Sequence, residues 1–307
     1  MRLRMLATAA VALTALSACG SSESPEEGSG TTETRPVSHV MGTTEVPAEP
    51  QRVITLDSPH LDTALSLGVT PVGSVQSDVA GGLPEYLGDR TAGIEIVGTI
   101  EEPELEAIAA LEPDLILSSS VRHEAIYEEL STIAPTVLTD YEEGWQAIFS
   151  TTAEALGLSE EGEETLAAYE RRARELGEAI GAEGSTASIV RFLSDETRIY
   201  GPDTFAGSVL TDVGFDLPEL DYDEYSMVYI SPELITQAEA DVVFSTAYGD
   251  PSTTTKDTVT AVWDLLEAVP DCAFEVDDAE WMLGIGPIGA GIVLDDVESA
   301  LTGSGCL

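Results

Sequence analysis

Lysine is nearly missing from this 307-residue chain: Lys256 is the only one, and lysine plus arginine number 12 against 57 aspartates and glutamates, a formal charge of −45. A field that negative repels nucleic acid and anionic lipid head groups, so neither is expected as a partner. Its plainest role is solubility, in a saline setting where charge is screened. Against this background an arginine at a loop mouth stands out as a site candidate. Histidine is as scarce, with only His39, His60 and His123, and these show no ligand spacing, so no metal site is expected. No Gly-x-Ser-x-Gly occurs, which argues against a hydrolase built on a nucleophile elbow; Ser118 to Ser120 with His123 nearby is sequence adjacency, not triad geometry. A second long apolar run is also lacking, and with it any further membrane span.

What is present begins at the N-terminus. Met-Arg-Leu-Arg precedes an apolar run from Met5 to Leu16, ending in Leu16-Ser-Ala-Cys19. Two arginines hold the start on the cytoplasmic side, the run is short for a permanent span, and small residues before Cys19 admit a peptidase. Residues 1–19 are expected to be a bacterial lipoprotein signal, with Cys19 the lipid-carrying first residue. Residues 20–38, rich in Ser, Glu, Gly, Thr and Pro, are expected to be a flexible tether. The folded part then lies outside the cell membrane, held to its outer face by lipid alone. In such an oxidising compartment Cys272 and Cys306 are expected to pair, closing a loop of about 35 residues for about 3 to 4 kcal/mol.

The remaining chain exceeds the usual single-core size, so two lobes are expected. Arg52 to Asp57 reads as a strand, Pro59 to Leu67 as a helix stopped by Gly68, and strands follow at Val69–Val75, Ile94–Gly98 and Asp114–Leu117, with helices at Glu104–Leu111 and His123–Ile133. Strands alternating with helices predict an α/β lobe over 39–141 with a parallel-rich sheet. Residues 142–182 read as a long linking helix, broken only near Gly157 to Gly162. Its Glu170, Arg171, Arg172, Arg174, Glu175 and Glu178 form a solvated face. Alternation returns over 183–307, the second α/β lobe: strands at Ala187–Leu193, Arg198–Tyr200 and Asp241–Ser245, and helices at Phe205–Val213, Pro232–Gln237 and Gly289–Leu301.

Several segments in order, Arg52-Val-Ile-Thr-Leu-Asp-Ser-Pro-His60, Val97-Gly98 with Leu105-Glu-Ala-Ile-Ala-Ala-Leu-Glu-Pro-Asp-Leu-Ile116, Tyr200-Gly-Pro-Asp-Thr-Phe-Ala-Gly-Ser-Val-Leu210, Ile230-Ser-Pro-Glu-Leu234 and Gly286-Pro-Ile-Gly-Ala290, resemble the ferric-siderophore-binding lipoproteins of iron-uptake ABC transporters. The resemblance spans roughly residues 40 to 301. It implies two Rossmann-like lobes joined by a rigid helix, the class III solute-binding architecture, with an iron chelate held between them. It implies a monomeric receptor without catalysis or cofactor, the iron being held by the chelator. A hexadentate siderophore fills iron's coordination sphere, so the protein should present arginine forks and aromatic faces instead of metal ligands. Arg122 lies at the carboxyl edge of its strand, where open α/β sheets bind ligands. Arg191 would be an oddly buried charge unless it faces a cleft, and Arg198 stands near the Tyr200 turn. Tyr200, Phe205, Tyr229, Trp281 and His60 are candidate lining residues, with Trp145 beginning the linking helix. The resemblance also implies that one glutamate on each lobe, Glu106 and Glu233, meets the permease. Haem or vitamin B12 is the alternative cargo for this fold; haem would want an axial His, Tyr or Met.

Overall fold

The computed structural model describes residues 33–76, 81–268 and 271–307. Residues 1–32, with the expected signal and Cys19, lie outside it. The described chain forms a single compact unit.

It opens with a hairpin of β1 (Thr34–His39) and β2 (Gly42–Pro47), paired antiparallel with Val37 and Val46 fully buried. The expected tether therefore ends earlier than residue 38, because an alternating strand beginning at Thr34 buries Val37 against the first lobe. That lobe follows as β3 (Val53–Thr55), α1 (Ser58–Ser66), β4 (Gly73–Gln76), β5 (Glu95–Thr99), α2 (Leu105–Ala110), β6 (Leu115–Ser119), the turn α3 (Ser120–His123), α4 (Tyr127–Ile133) and β7 (Thr136–Thr139). Its five strands run parallel in the order β5-β4-β3-β6-β7. β3, β6 and β7 are buried at every position, as strands covered on both faces must be.

The linking region is two helices, α5 (Trp145–Leu156) and α6 (Ser159–Ile180). Gly157 separates them in the left-handed conformation, at φ 80°, and Gly181 ends the second at φ 78°. Helix α5 packs on α1 of the first lobe, and α6 on the second. A side chain at Gly177 would stand 1.8 Å from the Val213 carbonyl, so glycine is what permits that approach.

The second lobe contains β8 (Ala187–Phe192), β9 (Thr197–Tyr200), α7 (Phe205–Val213), β10 (Met227–Ile230), β11 (Val242–Ala247), α8 (Lys256–Thr260), β12 (Ala273–Glu275) and α9 (Pro287–Leu301). Its sheet has the order β10-β9-β8-β11-β12, parallel through β8, β11 and β12 and antiparallel at β9 and β10. Residues Ala187 and Ile189 face the core built on α6, α7 and α9, while Val190 and Phe192 face a smaller cluster on the opposite side. Helix α7 starts on a Thr204 cap, whose hydroxyl accepts from the Gly207 N–H, and stops at Gly214. The Cys272–Cys306 disulfide is formed, with Cα atoms 5.6 Å apart, and ties the C-terminus to β12.

The lobes meet at α1 and α9. Asp62 of α1 is fully buried and accepts the Ile288 and Gly289 N–H groups at 2.9 and 3.1 Å, capping the start of α9. The Tyr86 hydroxyl donates to the same carboxylate at 3.0 Å.

Candidate functional site

Period two along β8 decides what the second lobe presents. The face that buries Ala187 and Ile189 ends in Arg191, the register partner of Arg198 on β9 and of Thr246 on β11. These residues share one face at the carboxyl ends of β8 and β11, beside Tyr200 and, across β10, Tyr229. Arg191 is 9% exposed and fully engaged: Nε and Nη2 donate to the two Asp278 oxygens at 2.7 and 2.6 Å, Nη1 donates to the Tyr200 hydroxyl at 3.1 Å, and the guanidinium lies 4.8 Å from the Tyr248 ring centre. Arg198 is half-buried, pairs with Glu196, and covers the Tyr229 ring at 5.1 Å, while that ring is itself half exposed to solvent. Two guanidinium–tyrosine pairs thus lie on one face of the sheet near the carboxyl end of β8.

The carboxyl edge of the first lobe carries a denser polar network. Asp57 caps α1 by accepting the Ser58 N–H at 2.9 Å, and its other oxygen accepts the Ser119 and Tyr141 hydroxyls at 2.5 and 3.1 Å. His123 donates from Nε2 to the Ile100 carbonyl at 2.9 Å, so its Nδ1 accepts from Ser118 at 2.6 Å. Burial holds that imidazole below its ordinary pKa, against the pull of Asp57. His60 bonds Thr139 at 3.0 Å through Nε2, and its Nδ1 has no partner among the described residues. Arg122 is exposed on this lobe and forms a 2.8 Å ion pair with Glu101.

The expected residues therefore divide. Arg191, Arg198, Tyr200 and Tyr229 are brought together, and Arg122 stands on the other lobe. Trp281 is not a cleft face: it is fully buried against Phe244 at 4.7 Å, with its indole N–H donating to Asp296 at 2.9 Å, because an apolar ring with one satisfied donor belongs in the core. His60 is likewise fully buried inside the first lobe, not a lining residue. Phe205, half-buried at the start of α7, meets Trp145 of α5 edge to face at 5.9 Å, and Trp145 also meets Tyr169. The Trp145 indole N–H is buried without a partner among the described residues. Sequence reasoning missed Asp278, Tyr248 and Thr246. Tyr248 directly follows β11 and was findable as an aromatic at a strand's carboxyl end; Asp278 carries no signal in so acidic a chain. Glu106 lies in the first turn of α2 and Glu233 in the first turn of a 3-10 helix, Pro232–Ala238, both exposed. A concavity of about 380 Å³ beside Phe215 and Tyr222 and one of about 530 Å³ beside Arg35 and Gly157 are lined by neither Arg191 nor Arg198.

The chain is similar to known proteins over most of its length. Residues 53–268 match the profile of the periplasmic binding protein family. The chain is 36% identical to the probable siderophore-binding lipoprotein YfiY of Bacillus subtilis, over 96% of each chain. It is 31% identical to the achromobactin-binding periplasmic protein of Dickeya dadantii, covering 81% of this chain and 85% of that one. Among solved structures, Staphylococcus aureus SirA complexed with staphyloferrin B superimposes with a TM-score of 0.77 at 32% identity, over 88% of this chain and 99% of SirA.

Proposed function

This chain belongs to the periplasmic binding protein family, and from that premise we propose that it is an extracytoplasmic, lipid-anchored receptor that binds a ferric siderophore and delivers it to an ABC permease. The observation that carries the reading is the arginine–tyrosine platform at the carboxyl edge of the second lobe. Arg198 over the half-exposed Tyr229 offers a cation and an aromatic face together, and Arg191 lies beside it in register. That combination suits a large anionic chelate whose iron is already fully coordinated. Relatives named for siderophores, and SirA with staphyloferrin B, support the same cargo class. Arg122, on the opposite lobe, serves as a further contact. The reading needs no catalytic group and no cofactor, and the receptor acts as a monomer. Glu106 and Glu233 are the docking acids for the permease, one on each lobe.

The test is a titration of the soluble chain, starting after Cys19, with ferric citrate-type, hydroxamate and catecholate chelates, and with haem and vitamin B12 alongside. Saturable binding of one ferric chelate, weakened by more than about 1 kcal/mol in Arg198→Ala, is the expected result. Binding of haem or B12 alone would keep the fold and replace the cargo. In cells, joint replacement of Glu106 and Glu233 by Ala should leave binding intact and stop uptake; normal uptake would remove them as docking residues.

A further inference from the structure

We infer that Asp278 is a resident competitor for the ligand's own carboxylate, and that the receptor therefore selects ferric chelates carrying a free carboxylate. This rests on the siderophore-receptor reading and deepens it. Asp278 meets Arg191 in the two-point, in-plane geometry with which a guanidinium holds any carboxylate, at 2.7 and 2.6 Å. The pair lies at the carboxyl end of β8, where each side chain keeps 11% of its surface exposed. A carboxylate arriving from the ligand at this end makes the same two bonds.

Two observations separate this arrangement from a purely structural ion pair. Arg191 is held in place without Asp278, through the Tyr200 hydroxyl at 3.1 Å and the Tyr248 ring at 4.8 Å, so the fork stays aimed when its partner leaves. Asp278, by contrast, has little else to hold it. Beyond Arg191, among the described residues, its carboxylate accepts only a long 3.3 Å bond from Thr246. The single π-helical turn that follows, Ala279–Leu283, is capped by the neighbouring Asp277, which accepts the Ala279 and Glu280 N–H groups at 2.8 and 3.3 Å; Asp278 gives that turn no side-chain bond. Rotating Asp278 outward thus exchanges one carboxylate for another at Arg191 and leaves the turn intact.

Selectivity follows from charge. A guanidinium this buried is costly to leave without a matched anion. An incoming carboxylate restores the pair, whereas a neutral hydroxamate or a fully coordinated catecholate has no equivalent group to offer. The apparent affinity is the intrinsic affinity multiplied by the fraction of molecules in which Asp278 has left the fork.

The experiment compares ferric dicitrate with a ferric tris-hydroxamate as probes on the native chain, Asp278→Asn and Asp278→Ser, each checked for cooperative melting. The native chain should prefer ferric dicitrate. Both substitutions should tighten ferric dicitrate binding by about tenfold or more, since the competitor is gone. The inference is overturned if ferric dicitrate binds the substituted chains no more tightly than the native chain, or if the native chain prefers the hydroxamate. If neither substituted chain folds, the native preference alone decides. Binding of no ferric chelate to any form would overturn the receptor reading itself.

Discussion

His60 and Asp62 lie two residues apart on α1, both fully buried, and burial favours the neutral form of each, lowering the pKa of the imidazole and raising that of the carboxyl. Burial pushes the His60 imidazole from its ordinary 6.5 down to about 4, with Asp57 opposing and His123 adding to the shift. The native state then binds fewer protons than the unfolded chain between those values, so His60 contributes stability that is present above pH 6.5 and lost as pH falls toward 4. Burial pushes the Asp62 carboxyl up to about 7, against the bonds from Ile288, Gly289 and Tyr86. Here the native state holds the extra proton, so the sign reverses: this group favours folding less as pH rises from about 4 to about 7. Replacing His60 by Gln should remove up to about 3 kcal/mol of acid destabilisation between pH 6.5 and 4. Denaturant melts across that range check this, and superimposable pH profiles for native and substituted chains would contradict the burial of His60. Neither residue's environment was legible in the sequence, because both depend on what packs over α1.

At the scale of elements, the Gly286-Pro-Ile-Gly motif gains its reason from Asp62. Gly286 sits at φ 155°, and a Cβ there would stand 2.3 Å from the Asp62 oxygen that caps α9. Glycine lets the first lobe's carboxylate reach the second lobe's helix start. Gly286→Ala should therefore cost about 2 kcal/mol or more, read as a lowered thermal midpoint, through backbone strain and the displaced cap. An unchanged midpoint would show that the cap contributes little. Most elements were legible from local chemistry: α7 over Phe205–Val213 follows from Thr204 before it and Gly214 after it, and β6 and β11 from short β-branched and aliphatic runs. The hairpin β1–β2 was not, since composition alone ran the tether into it. Strands β10 and β12 were missed as well, each only three or four residues long and defined by pairing with a neighbour.

Over the whole molecule, the formal charge of −45 opposes compaction. Raising sodium chloride from about 0.01 to 1 M shortens the screening length from about 30 to about 3 Å. The thermal midpoint should rise by several degrees over that range. A midpoint independent of salt would mean that surface repulsion is already offset within the fold, for which the few ion pairs among the described residues, such as Arg172 of α6 with Asp295 of α9, are a small counterweight.

The sequence by itself determined the two α/β lobes, the helical link, the Cys272–Cys306 pairing and the prominence of Arg191 and Arg198. Each of these rests on local periodicity, on caps and glycines, or on the rarity of a residue type within one chain. Only the tertiary structure decided that Trp281 and His60 are core residues, that Asp62 joins the lobes, and that Asp278 fills the Arg191 fork. Those facts depend on contacts between residues far apart in sequence, 87 positions in the case of Arg191 and Asp278, and no local pattern encodes which of 57 acids will arrive there.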